Sequence, residues 1–274
     1  YMKKIGILFL GLISAFNFSQ NTRFVYQVSM KTDSTAVPKI ENAYLDISTE
    51  KSIFYGEKRM KRDSTIRQAM ETRNFNFDRN SMEQFRTAIT YSIEKNHATK
   101  TISYKDRIAR DQYWYDEDRT FTWKILPETV KIGEYETQKA ETTFAGRKWF
   151  AWFTQDLPFI DGPYKFSGLP GLIVKVEDEK GDYSFDLKET KKIAELPNFE
   201  SRFGNNIKVK RSEFLKQQEK FNKDPMSFFQ NQGGGFAMRM GGNQNPQNEA
   251  ERRKMMEERL KEEAKANNNP LEKN

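Results

Sequence analysis

The chain has 274 residues, no cysteine and a single histidine, which excludes a thiol nucleophile, a disulfide framework, an iron–sulfur cluster and any zinc site built from cysteines or several histidines. Lys and Arg outnumber Asp and Glu by seven, yet the basic residues form no stripe, so the excess reads as solubility and nucleic acid is not an expected partner. Aromatic residues make up 14% of the chain, with 22 Phe, 11 Tyr and 4 Trp, and these are the material of its core.

Lys3 and Lys4 precede an apolar run over residues 5–15, followed by Asn17, Ser19 and Gln20. This order predicts a secretory signal peptide over residues 1–19. Removing the two lysines takes the charge from +7 to +5. The absence of a cysteine at the cleavage point argues against a lipid anchor. No later stretch approaches the roughly 20 apolar residues of a membrane helix, so no membrane span is expected. The periplasm of a Gram-negative bacterium is the expected location, with the cell surface or exterior as the alternative.

Residues 20–190 read as one β domain. Phe24, Tyr26, Val28 and Met30 alternate with more polar neighbours. So do Ala43, Leu45 and Ile47, then Ile89, Tyr91 and Ile93, then Phe121, Trp123 and Ile125, then Tyr183, Phe185 and Leu187. A period of two with one wet face predicts a mainly β fold of about ten to twelve strands. It would form a large curved antiparallel sheet, or an open barrel or sandwich. Asn96-His97 and the stretch 179–182 read as hairpin turns. Residues 57–88 break the rhythm, with isolated Met60, Ile66, Met70 and Phe75, and fit a short helix or a surface excursion.

Beyond residue 190 the pattern changes. Residues 191–225 hold a predicted short helix at 212–222, capped by Ser212, with an apolar stripe of Phe214, Leu215 and Phe221 and a stop at Asp224-Pro225. Residues 226–248 are rich in Gly, Asn and Gln and read as a flexible linker. Residues 249–274 read as a charged helical tail extending away from the domain, with Met256 and Leu260 as its only apolar stripe.

Residues 132–190 hold the densest signals. Phe144-Ala145-Gly146-Arg147 predicts a tight turn. In the strand after it, Trp149, Ala151 and Phe153 alternate with Phe150 and Trp152, so both faces are apolar. Such a strand is covered on both sides or lines a binding surface. Gly162-Pro163 and Gly168-Leu169-Pro170-Gly171-Leu172-Ile173 place two Gly/Pro corners close together, predicting a rigid loop held by inward-packing Leu169 and Leu172. The hexapeptide at 168–173 resembles the one that names the GLPGLI family of exported bacterial proteins. Ile132-Gly133-Glu134-Tyr135, Gln138-Lys139-Ala140, Phe144 with Gly146-Arg147, Ala151-Trp152-Phe153-Thr154, Gly162-Pro163 and the closing Asn268-Asn269-Pro270-Leu271 are similar to that family's pattern. Where many members carry a cysteine this chain has Glu136, which removes redox or metal chemistry at that position. The resemblance implies an exported protein and carries over no catalytic residue.

Enzyme signatures are absent. A nucleophile–histidine–acid triad would need His97, which sits in a predicted turn without a Gly-x-Ser-x-Gly elbow. Asp161 beside the Gly/Pro loop reads as a turn-former. Met226, Met238, Met240, Met255 and Met256 lack the even spacing of a copper site, so no metal and no cofactor is expected. The residues predict a non-enzymatic binding or carrier protein. It would hold an apolar or amphipathic ligand on the concave sheet, against Trp149, Trp152, Phe153, Tyr164 and Phe166. The alternative is an accessory subunit docking on an envelope membrane protein through the tail, with a hydrolase behind both. The oligomeric state is not readable.

Overall fold

A computed structural model describes residues 21–74, 84–199, 204–225, 227–228 and 246–273. The signal peptide, Phe75 and most of the linker, residues 226 and 229–245, lie outside the described residues. Twelve strands form one open sheet. Two meanders build it. The first comprises β1 (Asn21–Met30), β2 (Lys39–Ile47), β3 (Lys51–Gly56), β4 (Ser92–Asn96), β5 (Ile102–Ile108) and β6 (Asp111–Asp116). The second comprises β7 (Lys124–Ile132), β8 (Tyr135–Phe144), β9 (Arg147–Thr154), β10 (Leu172–Asp178) and β11 (Tyr183–Ile193). They join where β1 pairs antiparallel with β11, from Asn21 opposite Ile193 to Met30 opposite Tyr183. β12 (Asn206–Lys208) adds a parallel edge beside β6, so the sheet is mixed and extends past residue 190.

The alternation in sequence places the core. Phe24, Tyr26 and Val28 of β1, Ala43 and Leu45 of β2, Phe54 of β3 and Ile93 of β4 are buried without exposed surface. They form one cluster with Trp149, Ala151 and Phe153 of β9, Val176 of β10 and Phe185 of β11. Apolar side chains from strands far apart in the sheet share one interior because the sheet is curved. Two predicted strands are shorter than their alternation. β4 begins at Ser92, and Phe121 and Trp123 reach the core from a loop ahead of β7. Apolar alternation reports burial, and an extended loop packed on a core satisfies it as well as a strand does.

The tight turn at Ala145 and Gly146 has φ of 50° and 72°, the two left-handed residues of a primed hairpin. Residues 57–72 form helix α1 (Glu57–Thr72). Helix α2 (Arg211–Lys223) buries Phe214 against Tyr104 and Tyr115, with ring centroids 5.4 and 5.3 Å apart. Its N-cap is Lys210, not Ser212. Helix α3 (Pro246–Lys265) covers most of the predicted tail. The end of that tail does not extend away. Asn269 N–H donates to Thr32 O (2.8 Å), Lys273 N–H to Ala145 O (2.8 Å) and Tyr183 Oη to Asn269 O (2.6 Å). The tail's composition shows its solvated helix but not the polar groups on the domain that receive its last residues.

The two glycines of the hexapeptide have different tasks. Gly171 has φ 148°, and a Cβ there would lie 2.0 Å from Thr154 O. Gly168 has φ 93° with open space around it. Gly171→Ala is expected to lower stability by more than about 2 kcal/mol and Gly168→Ala by about 1 kcal/mol, read from urea midpoints.

Candidate functional site

The corner between β9 and β10 is rigid for local reasons. Gly162 lies flush on Ile173, where a Cβ would approach to 2.8 Å. Pro163 and a left-handed Tyr164 (φ 55°) turn the chain so that Asp161 and Ser167 bridge. Backbone donors close the loop on itself: Phe166 to Pro163 O (3.1 Å), Leu172 to Leu157 O (3.1 Å) and Ile173 to Asp161 O (3.0 Å). Leu169 and Leu172 are buried beneath it.

This loop fills the concave face. Trp149, Phe153, Tyr164 and Phe166 are at most 3% exposed. Phe166 sits among Phe121, Trp123, Phe144, Trp149 and Tyr164, with centroids 4.9 to 6.1 Å away. Trp152 stands on the other face of β9, half-buried beneath the ammonium groups of Lys139 and Lys175 at 5.6 and 5.0 Å. The structure thus brings four of the five aromatics together as packed core and separates Trp152 from them. The open aromatic-lined face expected from sequence is closed by the chain's own loop.

A cavity of about 510 Å³ opens instead where the loop meets two hairpin turns. Ile47, Ser48 and Thr49 come from the β2–β3 turn, and His97 and Lys100 from the β4–β5 turn. Pro158, Phe159, Ile160 and Asp161 form the facing wall, with Ser167 and Gly168 completing the lining. Phe159 is fixed edge-on against Phe24, centroids 5.2 Å apart, while Ile160 is 68% exposed at the rim.

The polar end of the cavity is built on Lys95. It follows Ile93 in the inward phase of β4, so its side chain enters the core. Its ammonium donates to Asp161 Oδ1, to Gly162 O (2.6 Å) and to Phe166 O (3.0 Å). Gly162 N–H also donates to Asp161 Oδ1 (2.7 Å), which leaves Oδ2 facing His97. His97 Nε2 lies 3.8 Å from that oxygen, and Nδ1–H donates to Thr49 O (3.2 Å). The Asp161 interaction holds the imidazole above its ordinary value of 6.5, despite partial burial. Burial alone would raise Asp161, but the charge of Lys95, the facing imidazole of His97 and the hydrogen bond from Lys95 hold it below 3.8. Nδ1 of His97 is thus hydrogen-bonded within the chain, while Nε2 faces Asp161 at ion-pair distance, beyond the reach of a hydrogen bond. Asp161 is the one carboxylate among the described lining residues, whereas glycoside chemistry of the usual kind needs two. Sequence reasoning named His97 and Asp161 separately and missed Lys95; the available signal was a charged residue in phase with inward apolar ones.

A second buried polar cluster lies beside Tyr164. Lys165 has no exposed surface and donates to Glu117 Oε2 (2.6 Å), Glu272 Oε1 (2.6 Å) and Tyr115 Oη (3.1 Å). Arg119 reaches the same two carboxylates, each at 2.7 Å. Burial opposes ionisation of Glu117 and Glu272. It is outweighed by Arg119 and Lys165, which bring Glu117 down to about 2, and by Lys165, Tyr164 and Arg119, which hold Glu272 below 4.5.

Residues 142–175, which span β9 and the whole corner, match a family described as "Protein of unknown function (Porph_ging)". No curated protein matches the chain. Among solved structures the chain is similar to PNGF-II in two crystal forms, P21 and C2, at 18% and 17% identity, each with a TM-score of 0.52. The alignments cover 72% of this chain and 33% and 32% of those chains, so this chain spans about a third of their length. At that identity the likeness concerns the fold.

Lys95→Met is expected to cost about 3–5 kcal/mol, because it strands the Asp161 carboxylate in the interior. Adding Asp161→Asn should restore much of the loss in a double-mutant cycle. Asp161, Glu117 and Glu272 all have folded values below their ordinary 3.8 and 4.5. Their contribution is therefore complete above about pH 4.5 and fades as pH falls toward 2, which melting temperatures across that range will show.

Proposed function

We propose that this chain is an exported, non-enzymatic binding module of the cell envelope, periplasmic or displayed at the surface. Its ligand site is the cavity beside the β9–β10 corner, not the concave sheet. The carrying observation is the cavity itself: about 510 Å³, apolar along Pro158, Phe159 and Ile160 and polar at His97, Lys100 and Asp161. Such a division suits a small amphipathic molecule. Its walls are preset, since Phe159 is held edge-on against Phe24, Asp161 is gripped and both turns are hydrogen-bonded, so little ordering would oppose binding. The signal-peptide pattern of residues 1–19 supports export. The resemblance to the GLPGLI family supports the same reading, and its hexapeptide falls inside the matched stretch 142–175.

The accessory-subunit reading retains one support, the solvated helix α3, where Met255 is 54% exposed. Deleting the whole tail would not separate the readings, because it strips Asn269 and Glu272 from the core. The binding reading is tested by native mass spectrometry of protein purified gently from envelope extract, followed by solvent extraction. A stoichiometric small molecule should accompany the wild type. Ile160→Glu should lose at least nine-tenths of it with an unchanged melting temperature, since that rim side chain is 68% exposed. A bare wild-type protein, or equal retention by the variant, would move the site elsewhere.

A further inference from the structure

Resting on that reading of the cavity, we infer that its polar end takes an anionic head group, a carboxylate on a short apolar body, and that His97 binds a proton together with it. The apolar body lies along Phe159 and Ile160, and the carboxylate lies between His97 and Lys100.

The charges around the cavity decide the sign. Asp161 is the acid of the wall, and its charge is compensated from behind by Lys95, which has no other carboxylate partner in the hydrogen-bond set of its ammonium. His97, 33% exposed, and Lys100 line the opening; with its nitrogens directed at Thr49 and Asp161, the His97 ring acts on a ligand through its charge and not through a free N–H. Lys100 is exposed at a left-handed position (φ 58°) and makes no salt bridge among the described residues. The other charged groups near His97 are occupied or turned away. Lys51 pairs with Glu94 at 3.2 Å, Lys105 reaches the same Glu94 oxygen at 3.4 Å, and Glu50 contributes its backbone carbonyl to His97 N–H (2.9 Å) with its side chain exposed. With His97 protonated, the cavity presents two positive charges and one neutralised pair; with His97 neutral, it presents one.

Geometry links the proton to the ligand. Because Nδ1–H is committed to Thr49 O, a proton gained or lost by the ring is on Nε2, the nitrogen facing Asp161. A neutral ring points a lone pair at a carboxylate. A protonated ring bridges the β2–β3 turn to the loop, firming two walls of the cavity together. An anion arriving beside the ring favours the protonated form, and by linkage the protonated form favours the anion.

Untagged full-length mature protein makes the test direct, because His97 then supplies the only imidazole proton signals in the spectrum. Its titration is followed by proton NMR with and without sodium octanoate, and octanoate affinity is measured by calorimetry at pH 6 and pH 9. Octan-1-ol and octylammonium serve as neutral and cationic probes. Saturating octanoate should move the His97 midpoint up by about one pH unit, and affinity should fall about tenfold from pH 6 to pH 9. His97→Gln should bind octanoate with a flat pH profile, and Lys100→Gln should bind it several-fold more weakly with the pH dependence retained. Equal binding of all three probes, or an octanoate affinity independent of pH in the wild type, overturns the anionic assignment and leaves the cavity reading intact. Absence of binding by all three probes in calorimetry, with His97 unperturbed, overturns both.

Discussion

The ammonium of Lys95 stands on β4, in the first meander, and directs its three N–H bonds to the corner between β9 and β10, in the second. Five strands of the sheet separate β4 from β9, so this contact crosses the concavity and not the ladder. Burying an ion pair brings little net stability, since desolvation offsets most of the Coulombic attraction. What it brings is position. Two of the three acceptors are backbone carbonyls, at Gly162 and Phe166, so the ammonium fixes the path of the main chain and not only a side chain. Phe166 is thereby delivered to its ring cluster, Asp161 to the cavity wall, and the hexapeptide to its strand. The candidate site exists because the core is closed this way.

Two other buried cations extend the same logic to the tail. Arg147 donates to Asp178 Oδ2, Asn269 Oδ1 and Pro270 O, each at 2.7 Å, and its guanidinium lies 4.7 Å from the Tyr183 ring centroid. Lys165 binds Glu272. The last residues of the tail, with Leu271 packed on the core, are thus integrated largely through polar contacts made to buried charges. The likeness to PNGF-II, which shows fold alone, says that such a sheet recurs; the buried cations describe how this chain closes it.

Much of the architecture was readable in the sequence because a half-buried strand writes its burial as a period of two. The strands β1, β2, β9 and β11, the turn at Gly146 and the inward leucines 169 and 172 all follow from that period and from glycine and proline geometry. The site was less legible. His97 and Asp161 are 64 residues apart, and only the curvature of the sheet brings them together. Lys95 and Lys165 carry no sequence signal by residue type, and Arg147 stands in it only as a turn and motif residue, because lysine and arginine are ordinarily solvated. Yet Lys95, two after Ile93, and Arg147, two before Trp149, stand in register with core neighbours, whereas Lys165 lies in a turn between Tyr164 and Phe166, where no period marks it. The aromatic surplus pointed to a ligand surface, whereas the chain uses those rings to fill its own hollow. β12 was invisible, since three residues pairing in parallel carry no period.

The seam between the two meanders has a consequence for how the molecule is made. β1 is synthesised ahead of β2 to β10, and its partner β11 ends at residue 193. At ribosomal rates of roughly 5–20 residues per second, β1 waits about 10 to 30 seconds for that partner. During the wait it presents Phe24, Tyr26 and Val28 with only β2 available to pair. Sheet closure is therefore a late, non-local event, the kind that folds slowly and aggregates when crowded. A chain of this topology gains from being kept unfolded until it is nearly complete, a requirement that transport across a membrane in extended form would meet as a matter of course.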